Sequence, residues 1–268
     1  MQQALLLRVD GELSIDPQGV PVDYRIKTQL PQKLHDSLEQ HVRTWRFEPV
    51  LVGGKPVLAQ TQMRVTLAAQ GTGDDYRVAV DNVTFPQTQG VTPDASGNAT
   101  MPTCISYQRT LPIHYPHDAL VYGLEADVLL NLKLSAQGRV EQAFVEQTAL
   151  LNVRGKPDAL KNAARMFERA ALLDITWWRF NVALHVPGPN PENLTVRVPV
   201  HFSTPRIAGT RPDPSGWQQE VRTPKLLAPW LSPDPNQQSV GVADLAAGEL
   251  APAGSRFRLT AAVAGSIL

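Results

Sequence analysis

The sequence predicts an α+β protein of two tandem β-β-α-β modules, each a small antiparallel sheet packed on one helix, plus an extended Pro-rich C-terminal tail. The first observation is a repeated phrase, Trp-Arg-Phe, which stands at 45–47 and again at 178–180. Each copy ends a stretch with helical apolar spacing and follows a turn that ends in glycine. Each also precedes an alternating strand, with Val65 and Val198 at equal distances from their tryptophans.

Length, charge balance and the lengths of apolar runs indicate which kinds of partner to expect. A chain of 268 residues is long enough for two modest domains, each with its own core. Lys+Arg and Asp+Glu are equal at 25 each, so no basic field attracts nucleic acid or an anionic membrane surface. No apolar run reaches the roughly 20 residues of a membrane-spanning helix. We therefore expect no nucleic-acid partner and no membrane span.

The first module is predicted over residues 1–85. Apolar residues alternate from Leu5 to Ile15, which indicates a half-buried strand, and Asp16 to Gly19 supplies a turn before the partner strand at 20–26. A helix is expected from Pro31, and its apolar stripe runs through Leu34, Leu38, Val42 and Trp45. Residues 57–67 then alternate as a third strand.

A linker is predicted at 86–111, the second module at 112–203 and the tail at 204–268, because proline and glycine interrupt periodicity in the linker and tail. The second module repeats the order strand, turn, strand and helix, and its helical stripe ends at Trp178. We place its extra residues in a loop at 150–158. Trp45 and Trp178 are expected in the core, with Trp177 directed elsewhere.

Several features of the second module occur together in one known family, in the order Tyr115-Pro116, Ala119, Gly123, Gly138-Arg139-Val140, Met166-Phe167-Glu168-Arg169, Trp178-Arg179-Phe180 and Val198-Pro199-Val200-His201-Phe202. On these features the module resembles the C-terminal domain of the TonB family of energy transducers. The first module is similar through 16–20, 45–49 and 54–57, and it lacks the Tyr-Pro lead-in.

The resemblance implies a protein of the periplasm of a Gram-negative bacterium. In that family the domain binds a short segment of an outer-membrane transporter, which adds as a strand to the domain's sheet. An inner-membrane helix and a Pro-rich spacer transmit force to the domain, and neither is present here. We therefore expect a chain that follows a removed leader or anchor and that does not transduce energy by itself.

The partner-binding surface is predicted on the last strand of the second module. Proline lacks a backbone donor and is confined largely to edge strands, and an unprotected edge is a template for an extended peptide. The resemblance adds a Tyr-Pro pair near the partner surface. The predicted partner-binding residues are Tyr115, Pro116, Leu194, Thr195, Val196, Arg197, Val198, Pro199, Val200, His201 and Phe202.

The predicted function is non-enzymatic binding of a partner peptide or protein by strand addition. An outer-membrane transporter or another envelope protein is the expected partner. The alternative is a soluble structural or dimerising envelope protein whose sheet edges are self-paired, with no transport role.

Catalytic, metal and cofactor sites are not expected. Cys104 is the only cysteine, which rules out an intramolecular disulfide, and no His/Asn constellation points to it as a nucleophile. His114, His117 and Asp118 form a weak metal pattern, but Pro116 prevents helical pairing of the two imidazoles. We therefore predict that the protein is not an enzyme.

Overall fold

The computed structural model describes residues 1–52, 54–72, 75–86, 104–183, 194–204, 216–232, 240–246, 248–252 and 257–268. The strands are β1 Gln2–Ile15, β2 Pro21–Ile26, β3 Leu51–Val52, β4 Lys55–Pro56, β5 Ala59–Thr72, β6 Asp75–Thr84, β7 Cys104–Arg109, β8 Glu125–Leu134, β9 Val140–Leu151, β10 Arg179–Ala183, β11 Thr195–Phe202, β12 Gln218–Arg222 and β13 Ala251–Pro252. The helices are α1 Gln32–Thr44, α2 His117–Val121 and α3 Pro157–Leu173.

The two halves share one antiparallel sheet, so the predicted pair of separate small modules is wrong. The nine-stranded sheet has the order β13-β11-β8-β9-β12-β1-β5-β6, and β2 pairs with β1 beside this path. The predicted extended tail is also wrong. β12 lies in that tail region, yet it pairs with β9 on one side and β1 on the other, at the centre of the sheet.

The length of β9 explains how β12 joins the halves. β9 has 12 residues and its counterpart β2 has 6, while α3 has 17 residues and α1 has 13. The other extra residues are Asp174 and the 3-10 turn at 175–177, which lie between α3 and Trp178. The loop before α3, at 152–156, matches in length the one before α1, so the expected inserted loop is absent. β12 pairs with the far end of β9, at 149–151, which the additional length provides.

Each half buries its helix against its own strands. Leu38 and Val42 of α1 pack into a cluster with Val9, Leu13 and other side chains of β1 and β5. Phe167 and Ala171 of α3 pack into a second cluster whose strand members include Leu130, Val198 and Val221. The second cluster takes Val221 from β12, so the central strand contributes to the core as well as to the ladder.

The buried or exposed state of the three tryptophans agrees with expectation. Trp45 and Trp178 are buried, at 4% and 8% exposure, whereas Trp177 is 58% exposed. The two buried rings fix the ends of the helices against the sheet.

The face of the sheet opposite the helices is concave and carries buried charged residues beside two small apolar clusters. Arg8 of β1 lies 3.7 Å from Asp127 of β8, although β12 and β9 separate these strands. Arg222 of β12 likewise reaches Asp81 of β6 at 3.0 Å across β1 and β5. Such contacts require the sheet to curl. A 3-10 turn at Val242–Asp244 lies in the hollow and touches strands from both halves.

The two Trp-Arg-Phe segments form the same local joint. Phe47 N–H donates to the carbonyl of Gly19 at 2.8 Å, and Phe180 N–H donates to that of Gly138 at 2.9 Å. Both glycines have positive φ, +83° and +73°, and a Cβ would stand 1.9 or 1.7 Å from the phenylalanine carbonyl oxygen. Only glycine therefore permits the close approach of turn and joint.

Candidate partner-binding strand

The predicted binding strand, β11, lies inside the sheet rather than at a bare edge. β8 pairs with all of β11, and β13 pairs with Val196 and Arg197 on the other side. Among the described residues, no other strand pairs with that outer edge. Leu194, directly before the strand, and every β11 residue except His201 are buried. The strand is thus covered along most of its length.

One face of β11 belongs to the helix-side core. Val196, Val198, Val200 and Phe202 are all at most 5% exposed and pack in the cluster that contains Phe167. These four side chains follow the period of two expected of a strand whose apolar face is buried. They hold α3 on the sheet and are not available to a partner.

The opposite face of β11 carries a buried ion pair. Arg197 Nε donates to Glu146 Oε2 at 2.7 Å, and both side chains are 5% exposed. Glu146 is the bulged residue of β9, which turns its carboxylate toward this face, where Asn131 Nδ2 also donates to it at 2.6 Å. Lys225 lies 3.9 Å away, and burial lowers the pKa of its ammonium group although Glu146 opposes the shift.

His201 and Thr195, at the two ends of β11, are also hydrogen-bonded on this face. His201 Nδ1 lies 2.7 Å from Asp127 Oδ1, and its buried Nε2 has no hydrogen-bond partner among the described residues. Trp230 Nε1 donates to Thr195 Oγ1 at 3.1 Å. Pro199, between them, is buried in the strand interior and pairs with Leu129 of β8.

The Tyr-Pro pair is brought to the C-terminal end of β11. The Tyr115 ring lies 5.7 Å from Phe202 and 6.0 Å from Phe167, and its hydroxyl donates to the carbonyl of Leu124 at 2.5 Å. Burial, with Glu125 nearby, raises the pKa of Tyr115 to about 12. Pro116 caps the start of α2. The predicted site residues therefore lie next to one another, and the half-buried Tyr115 packs against the end of β11.

A segment that sequence reasoning assigned to the tail fills the polar hollow beside β11. Asp244, 1% exposed, accepts from Thr66 Oγ1 and from Asn82 Nδ2, both at 2.5 Å. Arg64 Nη1 donates to the Asp244 carbonyl at 2.8 Å and pairs with Glu249 at 2.5 Å. These contacts fasten Asp244 and Glu249 to β5 and β6, shortly before β13 reaches β11.

A second group of charges lies at the junction of the halves. Glu220 of β12, 1% exposed, has Arg222 Nε at 3.1 Å and Arg8 Nη2 at 3.8 Å. Burial raises the pKa of Glu220 despite these two arginines. The sequence did not predict this network, because alternating charged residues in a strand give the same pattern whether they face water or a polar interior.

The described residues hold no group of three His, Cys, Asp or Glu side chains arranged to bind a metal ion. His114 pairs instead with Asp174, at 2.7 Å. In the described part of the chain, no helix has the length and apolarity needed to cross a membrane.

Comparison with known proteins gives no relative. No family model, no curated protein and no solved structure matches the chain.

Proposed function

We propose that the protein is a non-enzymatic binding protein of the cell envelope that takes an extended partner segment at β11 by strand exchange. The observation that carries the proposal is the poor match between β11 and its outer neighbour. β11 has 8 residues and β13 has 2, and one of these, Pro252, has no backbone donor. A longer strand with a full set of donors forms more main-chain hydrogen bonds at this edge.

Exchange, rather than simple addition, follows from the burial of β11. Ala251 is 8% exposed and packs against Leu129 and Val242, so β13 must leave before a partner strand pairs. The apparent affinity is then the intrinsic affinity reduced by the fraction of molecules in which β13 is released. The resemblance to TonB-like domains supports the partner class, which is an N-terminal plug segment of an outer-membrane transporter in the periplasm.

The test is isothermal titration of the full chain with a panel of synthetic plug-segment peptides. Ala251→Asp places an unpaired carboxylate in an apolar cluster and weakens β13 docking, so we expect roughly tenfold tighter peptide binding. Ala136→Asp, at an exposed turn position, is the matched control and is expected to leave the affinity unchanged. A binding peptide N-methylated at alternate residues should lose its affinity. No binding across the panel to either form would overturn the transporter assignment.

The closed structural alternative also has a specific observation in its favour. The last described residues pair with the outer edge of β6, where Val80 N–H donates to Ser266 and Leu268 N–H donates to Val78, both at 2.9 Å. A protein that fills its own edges in this way fits a scaffold role. Analytical ultracentrifugation combined with amide hydrogen exchange across 194–202 distinguishes the scaffold role from peptide binding at β11. A monomer or dimer with fully protected β11 amides and no peptide response supports the scaffold.

A further inference from the structure

Each Trp-Arg-Phe joint has a second backbone edge, and a distant segment of the chain occupies it. The glycine turn takes one side of the joint. On the other side of the first joint, Glu48 N–H donates to the Arg258 carbonyl at 2.8 Å and Thr260 N–H donates to the Arg46 carbonyl at 2.9 Å. At the second joint, β10 pairs antiparallel with β7. We name these edges the first and second joint slots, along 46–48 and 179–183.

The two occupants share one feature of position. Leu259 stands directly opposite Phe47, and Tyr107 stands directly opposite Phe180. The Tyr107 ring lies 5.4 Å from Phe180 and 5.9 Å from Trp178, while Leu259 packs against the cluster that holds Phe47 and Trp45. The flanking residues differ, Ser and Gln around Tyr107 but Arg and Thr around Leu259. A joint slot thus accepts an extended main chain of varied sequence when one bulky apolar side chain lies opposite the phenylalanine.

The first joint slot has a second apolar anchor. Phe257 lies 5.5 Å from Phe85, which in turn lies 6.0 Å from Phe47. Phe257 and Leu259 are two residues apart and therefore point to the same side of an extended segment. Both are only half-buried, and Thr260 is exposed. This occupant lies at the surface and pairs through a single isolated bridge.

From these observations we infer that the first joint slot is an exchangeable binding site for an extended segment of a partner protein with bulky apolar residues at alternate positions. Residues 257–260 occupy it as an internal ligand. The two joints show independently that unrelated sequences fit when an apolar side chain lies opposite the phenylalanine. This site is separate from β11 and lies in the other half of the protein, beside the sheet.

The test begins with full-length Thr260→Pro, which removes the N–H and the hydroxyl that both donate to the Arg46 carbonyl, at 2.9 and 3.1 Å, without altering a buried side chain. Thr260→Ser keeps both donors and is the matched control. In two-dimensional amide spectra of the 15N-labelled chain, we expect the Glu48 resonance to shift in the proline variant and to return when the hexapeptide of residues 257–262 is added. Thr260→Ser should leave that resonance in its wild-type position and should respond at least fivefold more weakly to the peptide, because the internal ligand remains in place.

Two peptide controls address specificity. A hexapeptide with Leu259→Asp should bind at least tenfold more weakly, and one N-methylated at Thr260 about fivefold more weakly, since one hydrogen bond is worth about 1 kcal/mol. Phage display against Thr260→Pro should enrich alternating bulky apolar residues in sequences that compete with the hexapeptide. Enrichment without alternation, or no return of the Glu48 resonance, would overturn the site. A concentration-dependent dimer of the wild type that exchanges this segment would assign the slot to a second copy instead. None of these outcomes depends on peptide binding at β11.

Discussion

The two Trp-Arg-Phe joints have the same backbone geometry but differ in how firmly they hold their occupants. In both, a positive-φ glycine accepts a hydrogen bond from the phenylalanine N–H, and the arginine donates to the carbonyl of the preceding tryptophan at 2.7 Å. The second joint pairs with β7 over five positions, whereas the first has one isolated bridge to Leu259. A repeated motif can therefore fix a local conformation without fixing what binds beside it.

The largest predicted effect tests whether the joints are equivalent. Gly19→Ala and Gly138→Ala should each lower the free energy of unfolding by at least about 3 kcal/mol, because each combines αL strain with a backbone clash. Gly123→Ala is the control, since it has φ +61° but open space around a Cβ, and we expect about 1–2 kcal/mol. Urea denaturation measures all three. Equal losses in the free energy of unfolding at the three sites would show that small backbone shifts relieve the clash at no cost.

The next largest effect is expected at Arg64 of β5, a residue of the first half that holds the turn Val242–Asp244 and Glu249 in the hollow. Arg64 is 5% exposed and bridges Asp10 and Glu249. Arg64→Met removes the hydrogen bonds that this buried cation makes to the Asp244 carbonyl and to two carboxylates that are 48% and 29% exposed, and it should cost about 2–3 kcal/mol. Lys27→Met, which breaks an exposed pair with Glu12, should cost less than about 1 kcal/mol. Thermal unfolding of both variants measures the two losses of stability, and we expect the loss for Arg64→Met to be the larger. A small loss at Arg64 would mean that its ion pairs contribute little to holding the turn Val242–Asp244 in the hollow.

A medium effect separates the two buried tryptophans. Trp178 Nε1 donates to the Leu111 carbonyl at 3.1 Å, but Trp45 Nε1 is buried with no hydrogen-bond partner among the described residues. Replacement by phenylalanine removes a similar apolar area from both, so the hydrogen bond decides the difference. Trp178→Phe should cost about 1–3 kcal/mol more than Trp45→Phe, as measured by chemical denaturation. The reverse order would contradict the assigned contacts.

The smallest effect concerns pH at the junction of the halves. Burial raises the folded-state pKa of Glu220 above its unfolded value. Its contribution is then most favourable below the unfolded pKa and is lost as pH rises through the folded pKa. Wild-type stability should therefore fall more than that of Glu220→Gln as pH rises from 4, below the unfolded pKa, to 8. Urea midpoints at both pH values measure the difference, and parallel decreases would remove Glu220 as the cause.

Local signals made part of the structure predictable. The turns at 16–19 and 135–138 and the helix that begins after Pro31 lie where proline, glycine and apolar spacing place them. The same signals suggested two closed modules because each half is locally complete. What they lack is any indication of pairing between halves, which depends on β12.

The central strand was missed for a physical reason. Gln218–Arg222 has one apolar residue, Val221, so no alternation marks it as a strand. Its stability comes from two neighbours distant in sequence, β1 and the extended end of β9, and from the charges around Glu220. The two-residue β13 gives no more signal, yet it decides how accessible the candidate strand is. Strands without their own pattern are found only when their neighbours are known.

Native-state amide hydrogen exchange tests the contrast between the joints most directly. Because the first occupant is held by one bridge and half-buried anchors, the amides of Glu48 and Thr260 should exchange through a local opening of much lower free energy than those of β7 and β10. Equal protection at both joints, with opening only at the free energy of global unfolding, would contradict an exchangeable first slot.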